Sequence, residues 1–289
     1  MQPYLKAGGK MERRITSNEI LSFKESLCES ERSRATVEKY MRDIRAFISF
    51  LGSDTVSKST VLSYKEQLTK SYAVSSVNSM LAALNSLFRH LGWGDLCVRQ
   101  LKVQRRAFCS SEKELTKEEY KRLVMAAKQK ENERLALVIQ SICSTGIRVS
   151  ELRFITVEAA RRGQTTVSLK GKTRTVFIVP SLSKKLLLYA KERGISTGSI
   201  FVTKSGKDMD RHSVWREMKA LCKCADVPPE KVFPHNLRHL FARTFYGIEK
   251  DIAKLADILG HSSINTTRIY IVTTGEEHRR KMEKMRLLL

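Results

Sequence analysis

The sequence lacks the features of a membrane-spanning or secreted protein. No run in its 289 residues reaches the roughly 18 uncharged apolar residues with which a helix crosses a bilayer. Residues 1–14 lack the continuous apolar stretch of a secretory signal. We therefore exclude an integral membrane protein and expect a cytoplasmic one.

Cysteine is scarce, and its spacing does not suit a metal. The chain has no C-x-x-C pair and no histidine near a cysteine at zinc-finger spacing. The six cysteines are Cys28, Cys97, Cys109, Cys143, Cys222 and Cys224. We expect no structural zinc site and interpret them as reduced thiols.

Acidic residues are few compared with basic ones. The chain has 30 Asp and Glu against 53 Lys and Arg, which gives a formal net charge of +23. This excess predicts a polyanionic partner. Nucleic acid is the first candidate and a membrane surface the second, and the charge alone does not separate them.

The length of the chain favours two domains. Residues 1–14 are predicted to be a loose tail. Apolar periodicity predicts that the first domain, residues 15–95, is a four-helix bundle. Shorter helices at 20–28 and 61–68, with N-caps such as Ser17 and Ser59, accompany two long helices. Each long helix carries an apolar stripe with steps of four and three residues: Val37, Met41, Ile44, Ile48, Leu51, and Val77, Leu81, Leu84, Phe88, Leu91.

A basic linker is predicted at residues 96–112, followed by a second domain at 113–289. Thr116 and Glu119 form the capping box that opens this domain. Its helices are interrupted by β-branched segments at 165–169 and 173–179, which predict a hairpin, and residues 200–203 can add a third short strand. The expected fold is mainly α, with a small hairpin or three-stranded sheet.

Several polar residues of the second domain could carry chemistry. His235 and Arg238 share one side of a helix, and Gly260 ends the next helix just before His261. Ser262 or Ser263 can cap a further helix that carries Tyr270. Each has a plain structural explanation when taken alone; Arg148, for example, can simply pair with Glu151 at i+3.

Taken in order, these motifs resemble the signature of the tyrosine recombinases, the DNA integrase family. The elements are Thr-Gly-Ile-Arg148, hairpin Lys172, His235-Asn-Leu-Arg238-His, Leu-Gly-His261 and Tyr270. The resemblance runs from Gly146 to Tyr270, and the first domain resembles the family's SAM-like core-binding module. The turn Gly171-Lys172-Thr173 departs from the common Gly-Lys-Gly. Lys172 is preferred to Lys170 because it lies eight residues before Pro180, as the family's hairpin lysine typically does.

The resemblance implies a site-specific recombinase that forms a 3′-phosphotyrosine through Tyr270. Arg148 and Arg238 would bind the phosphate and His261 would donate a hydrogen bond to it. His235 would take and return the tyrosine proton, and Lys172 would protonate the departing 5′ oxygen. No metal or other cofactor is implied.

Family resemblance also implies an assembly on DNA. Four protomers would exchange strands of double-stranded DNA through a Holliday junction, with accessory directionality proteins as further partners and the nucleoid as the location. The C-terminal tail carries Met282, Met285 and Leu288 or Leu289 on one stripe. Docking of this tail on a neighbouring protomer is the family-like interpretation, and packing on its own domain is the alternative.

Three basic groups are candidates for contacts with DNA. They are Lys39, Arg42 and Arg45 on one helix, Arg105 and Arg106 in the linker, and Arg211, Arg216 and Lys219 on a helix with Trp215. An ordinary solvated helix face is the alternative for the helical groups.

Two other functions compete with recombination. A type IB topoisomerase resembles the site in chemistry but relaxes supercoils as a monomer, and its usual pattern lacks Leu-Gly-His261 and the eight residues that separate His261 from Tyr270. A non-catalytic DNA-binding protein of the same fold is the second alternative, and the presence of all six active-site residue types argues against it.

Overall fold

The computed structural model of the protein describes residues 13–102, 113–169, 172–203, 205–270, 279 and 282–285. Its contacts divide the chain into two compact units, Met1–Arg105 and Arg106–Leu289. Across the described ranges, no helix combines the length and apolar character needed to cross a membrane.

The first unit is a four-helix bundle, as predicted. Its helices are α1 (Ser17–Glu29), α2 (Arg34–Leu51), α3 (Lys58–Ser71) and α4 (Val74–His90). The two apolar stripes meet in its core, where Ile44, Leu81 and Leu84 are fully buried. The predicted N-caps Ser17 and Ser59 are wrong. Thr16 and Ser57 cap α1 and α3, because their hydroxyls accept hydrogen bonds from the backbone N–H three residues later.

The segment after α4 packs back on the first unit. The amide group of Asn85 bonds both the N–H and the carbonyl of Val98, at 2.9 and 2.8 Å, and Asn78 bonds Leu101 in the same way. Residues 96–102, the first part of the predicted linker, are therefore attached to the bundle. Arg13, inside the predicted tail, forms a 2.7 Å ion pair with Asp95.

The second unit is mainly helical with one hairpin, as predicted. Among its described residues before 271, the helices are α5 (Lys117–Gln129), α6 (Glu133–Thr145), α7 (Val157–Arg162), α8 (Pro180–Glu192), α9 (Arg211–Lys219), α10 (Cys222–Ala225), α11 (Pro234–Glu249), α12 (Ile252–Leu259) and α13 (Ile264–Arg268). Thr116 and Glu119 form the predicted capping box of α5. A 3₁₀ helix, Val149–Phe154, follows α6.

The hairpin pairs β1 (Gln164–Leu169) with β2 (Lys172–Phe177) in antiparallel register. Val167 and Val176 face the core, as the alternation of strand side chains requires. Of the two predicted alternatives, the hairpin is correct and the third strand at 200–203 does not form: the sheet of the described residues has two strands, and Val202 makes an isolated bridge to Asp208. Ile200 and Phe201 are instead buried in the helical core, so their apolar character reflects burial and not strand pairing.

Helices α11, α12 and α13 bring the C-terminal motifs together. Gly260 ends α12 with a φ of +64°, as its predicted position requires, and Ser263 caps α13. The expectation that this helix, α13, carries Tyr270 is wrong. The helix ends at Arg268, and Tyr270 lies in the following turn, where its N–H donates to the carbonyl of Thr267 at 2.9 Å.

Candidate active site

Arg238 is a buried cation at the centre of the site. Its side chain on α11 is 1% exposed, and its guanidinium donates to the carbonyls of Gly146 and Leu259. Burial and the neighbouring charge of Arg148 lower the pKa of Arg238 to about 10. The group thus keeps its positive charge at neutral pH.

His261 contacts Arg238 through one ring nitrogen and Thr267 through the other. Its Nε2 lies 3.1 Å from Nη2 of Arg238, and its Nδ1 lies 2.9 Å from the hydroxyl of Thr267. Arginine can only donate, so Nε2 accepts, and the ring proton is on Nδ1 and donates to Thr267. Burial and the charges of Arg238 and Arg148 lower the pKa of His261 to about 4, which agrees with a neutral ring.

Arg148 is held by a buried acid. Its Nη1 donates to Oε1 of Glu151 at 2.8 Å, and its backbone N–H donates to Oε2 at 2.9 Å. The Arg148 side chain is 36% exposed, whereas that of Glu151 is 1% exposed. The i+3 pairing that the sequence allowed is thus present, and it leaves the guanidinium of Arg148 partly open to solvent beside the site.

Arg174 is a third arginine of the site, which no sequence motif identified. Its Nη2 donates to Oε2 of Glu151 at 2.6 Å, and its Nη1 donates to the carbonyl of Ile258 at 2.9 Å. A side chain at Gly260 would collide with Arg174. Arg174 therefore links β2 to Glu151, which also binds Arg148. It links β2 as well to the end of α12, which directly precedes His261.

Glu151 keeps its charge in this setting. Burial alone would raise the pKa of its carboxyl, but hydrogen bonds from Arg148 and the charge of Arg174 outweigh burial and lower that pKa. One carboxylate therefore neutralises part of the positive charge that two arginines bring together.

Tyr270 is buried among histidines of α11. Its side chain is 6% exposed, and its hydroxyl lies 3.3 Å from Nε2 of His235. Loss of solvent around the ring and the charges of Arg238 and Arg148 lower the pKa of His235, which favours a neutral ring that can accept a proton. Five of the six predicted catalytic residues, Arg148, His235, Arg238, His261 and Tyr270, thus surround one centre.

The remaining predicted catalytic residue, Lys172, begins β2. It pairs in register with Leu169 and stands two residues before Arg174, a spacing that puts the two positions on the same face of a strand. The alternative residue, Lys170, lies outside the described residues. Nearby, a cavity of about 1010 Å³ opens between β2 and the start of α13, lined by Arg148, Arg174 and His261 among others.

The predicted DNA contacts differ in how free their side chains are. Arg42, Arg45, Arg211 and Arg216 are exposed. Lys39 is paired with buried Asp43, with which Arg42 forms a longer 3.8 Å contact. Lys219 bonds the carbonyl of Pro229 and lies over Trp215. Arg105 and Arg106 fall outside the described residues.

Comparison with known proteins covers most of the chain. The sequence profile of the phage integrase family matches residues 113–277, and that of the phage integrase N-terminal SAM-like domain matches residues 20–94.

Individual relatives match over most of their length. Tyrosine recombinase XerA of Pyrococcus furiosus is 28% identical over 289 residues, which cover 96% of this chain and 98% of the relative. Tyrosine recombinase XerD of Haemophilus influenzae is 27% identical over 276 residues, or 87% and 92% of the two chains. The solved structure of a lambda integrase tetramer bound to a Holliday junction is similar in fold, with a TM-score of 0.71 at 18% identity over 90% of this chain and 78% of that chain.

Proposed function

This chain belongs to the phage integrase family, and we propose that Tyr270 is the nucleophile with which it cuts and rejoins DNA. It is a tyrosine recombinase, an enzyme of site-specific recombination. The observation that carries the choice of nucleophile is the 3.3 Å approach of the Tyr270 hydroxyl to Nε2 of His235, next to the buried cation of Arg238.

In the proposed cleavage step, the Tyr270 oxygen attacks a backbone phosphorus and the bond to the 5′ oxygen breaks. His235 accepts the tyrosine proton, for which its neutral ring is suited. Since the phenol of tyrosine ordinarily has a pKa of about 10, this removal of a proton is needed at neutral pH. The product is a 3′-phosphotyrosine, which keeps the energy of the broken bond for rejoining.

Arg148 and Arg238 bind the non-bridging oxygens, where negative charge increases in the transition state. Arginine suits this role because its planar fork can make two parallel bonds to a phosphate. His261 donates to the same phosphate. Its Nε2 now accepts from Arg238, so this role requires the guanidinium of Arg238 to turn towards the phosphate and the ring to present an N–H.

Lys172 is the proposed acid that protonates the departing 5′ oxygen. The support is the register of the hairpin, since position 172 shares a strand face with position 174, and Arg174 reaches Glu151 inside the site.

The proposed substrate is double-stranded DNA with specific recombination sites, as the net charge of +23 favours. We propose that four protomers exchange strands through a Holliday junction, the assembly on which the lambda integrase tetramer was solved. The exposed Met282 and Met285 support docking of the C-terminal tail on a neighbouring protomer. Accessory directionality proteins and a location at the nucleoid belong to the same proposal.

Residues 15–95 and 113–289, joined by the linker at 96–112, are the proposed DNA-binding and catalytic domains, with residues 1–14 as a tail. The exposed Arg45, Arg211 and Arg216 are the stronger candidates for phosphate contacts, together with Arg42, whose contact with Asp43 is long at 3.8 Å. Lys39 and Lys219 already have partners within the protein, so DNA would have to compete for them.

The proposal can be tested even while the target site is unidentified. The protein is mixed with duplex fragments of the genome that encodes it, the reaction is stopped in denaturant, and DNA attached to protein is sequenced. We expect adducts at one short motif, with a free 5′ hydroxyl and a blocked 3′ end. Attachment through the 5′ end, or no adduct at any fragment, would refute the function.

Plasmids with and without this DNA motif distinguish recombination from topoisomerase activity. A supercoiled plasmid with two copies of the motif should yield recombinant circles, and a plasmid without the motif should keep its supercoils. Relaxation of both plasmids without recombinants would favour the type IB topoisomerase.

A further inference from the structure

A second histidine of α11, His239, contacts the proposed nucleophile in a different way from His235. The rings of His239 and Tyr270 are stacked, with centroids 4.2 Å apart and an angle of 28° between their planes. The ring of His235 meets the Tyr270 ring edge-on, at 5.4 Å and 62°. His239 therefore covers a face of the tyrosine ring, whereas His235 approaches its hydroxyl.

His239 is also fixed by its own neighbours. It lies one helical turn after His235, and their rings meet edge-on with centroids 4.9 Å apart. The Tyr270 ring packs further against the apolar cluster of Ala242, Leu255 and Leu259. The Tyr270 ring thus packs against an apolar cluster and against the ring of His239.

The chemistry of His239 favours an aromatic role over proton transfer. Within the described part of the chain, its ring nitrogens make no hydrogen bond, whereas Nε2 of His235 faces the Tyr270 hydroxyl. Burial and the neighbouring His235 and Arg238 lower the pKa of His239 to about 4. The ring therefore stays neutral at the pH at which His235 is proposed to act.

We propose that His239 is a positioning residue: its ring face holds Tyr270 in place for attack, and it exchanges no proton with the tyrosine. This inference rests on the proposed function, because it takes Tyr270 as the nucleophile. An offset stack stabilises the neighbouring ring by a modest amount, so its loss should slow cleavage without abolishing it. Any flat aromatic ring at position 239 should serve.

The first experiment measures the contact without using activity. The eight tyrosines are replaced by 3-fluorotyrosine, and the Tyr270 signal in the fluorine NMR spectrum is identified by its absence in Tyr270→Phe. A stacked ring shifts this signal by its ring current. We expect His239→Ala to move the Tyr270 signal and His239→Phe to leave it closer to its original position, while the other tyrosine signals report an intact fold.

The second experiment measures single-turnover formation of the covalent adduct on DNA that carries the target motif. We expect His239→Ala and His239→Gln to be about threefold to tenfold slower at unchanged DNA affinity, and His239→Phe to stay within about twofold of the original rate. His235→Phe is the matched control: it keeps an aromatic ring near Tyr270 but loses the nitrogen that faces the hydroxyl, so it should lose far more activity.

The results separate this inference from the proposed function. A Tyr270 signal that does not move in His239→Ala would overturn the stacking role even if the enzyme cleaves DNA as proposed. Full activity of His239→Gln with a loss in His239→Phe would show that His239 acts through its nitrogens, which would also overturn it. Failure of the original protein to form an adduct would refute the function, and the NMR result would still decide whether His239 holds the Tyr270 ring.

Discussion

The buried carboxylate of Glu151 accepts a 2.8 Å hydrogen bond from the guanidinium of Arg148, the proposed phosphate-binding arginine. The same carboxylate binds Arg174 of the hairpin at 2.6 Å. Arg148 lies three residues before Glu151, whereas Arg174 lies 23 residues after it. One acid therefore determines where a phosphate-binding arginine and the hairpin lie with respect to each other.

Replacing Glu151 by Gln should slow cleavage by about tenfold or more, because a neutral amide cannot hold two guanidinium groups as a carboxylate does and Arg148 would shift. Single-turnover adduct formation measures the effect. Glu119→Gln is the matched control, since Glu119 is a buried acid that pairs with Lys231 at 2.8 Å. The role assigned to Glu151 is wrong if both variants cleave at the same rate.

Replacing Arg148 or Arg238 by Lys should reduce the cleavage rate on the order of 100-fold to 1000-fold, because an ammonium cannot make two parallel bonds to a phosphate. Rapid-quench measurements on a saturated complex give the rate. Arg122→Lys serves as a control, because Arg122 bonds the carbonyls of Ala225 and Asp226 instead. Rates within a few fold of the original enzyme for both site variants would contradict the assignment.

Lys172→Ala should lose about 100-fold or more in cleavage rate, and Lys170→Ala should change little, since only the former is the proposed acid. A substrate with sulfur in place of the 5′ bridging oxygen tests the role directly, because a thiolate leaves without a proton. The sulfur substrate should restore cleavage by Lys172→Ala. Restoration of Lys170→Ala, with no defect in Lys172→Ala, would move the role to Lys170.

The sequence predicted the helices of the core and the residues of the proposed site in two different ways. Apolar steps of four and three residues identified α2 and α4, and this pattern is visible within a few turns of chain. Arg148, Arg238 and His261 were identified by the order of short motifs between Gly146 and Tyr270, which resembles the tyrosine recombinases, since each motif taken alone has a plain structural explanation.

The contacts that organise the site were not predictable in this way. Arg174 reaches Glu151 across 23 residues and Ile258 across 84, and the stack of His239 on Tyr270 depends on how α11 packs against the turn after α13. Nothing local distinguishes Arg174 from other arginines of a basic chain. The third strand considered at 200–203 is absent for a related reason. Ile200 and Phe201 are apolar because they are buried in the helical core, and a local pattern does not distinguish such burial from strand pairing.

Removal of residues 281–289 should leave binding to a single half-site unchanged but weaken the cooperative filling of a full site and strand exchange. The reason is that exposed Met282 and Met285 offer an apolar surface for a neighbouring protomer. Band-shift titrations on half-site and full-site DNA compare the two, after a check that the truncated protein stays folded and soluble. Unchanged cooperativity and normal recombination would mean that the tail packs on its own domain.

The central claim is that Tyr270 forms the covalent link to DNA, and the most direct measurement is adduct formation by Tyr270→Phe on a nicked substrate from which the cut strand cannot be rejoined. Only the attacking oxygen is removed, so DNA affinity and thermal stability should stay close to those of the original protein. The original protein should give a protein-linked band on a denaturing gel, and Tyr270→Phe should give none. A protein-linked band from Tyr270→Phe would contradict the account, because another residue would then be the nucleophile.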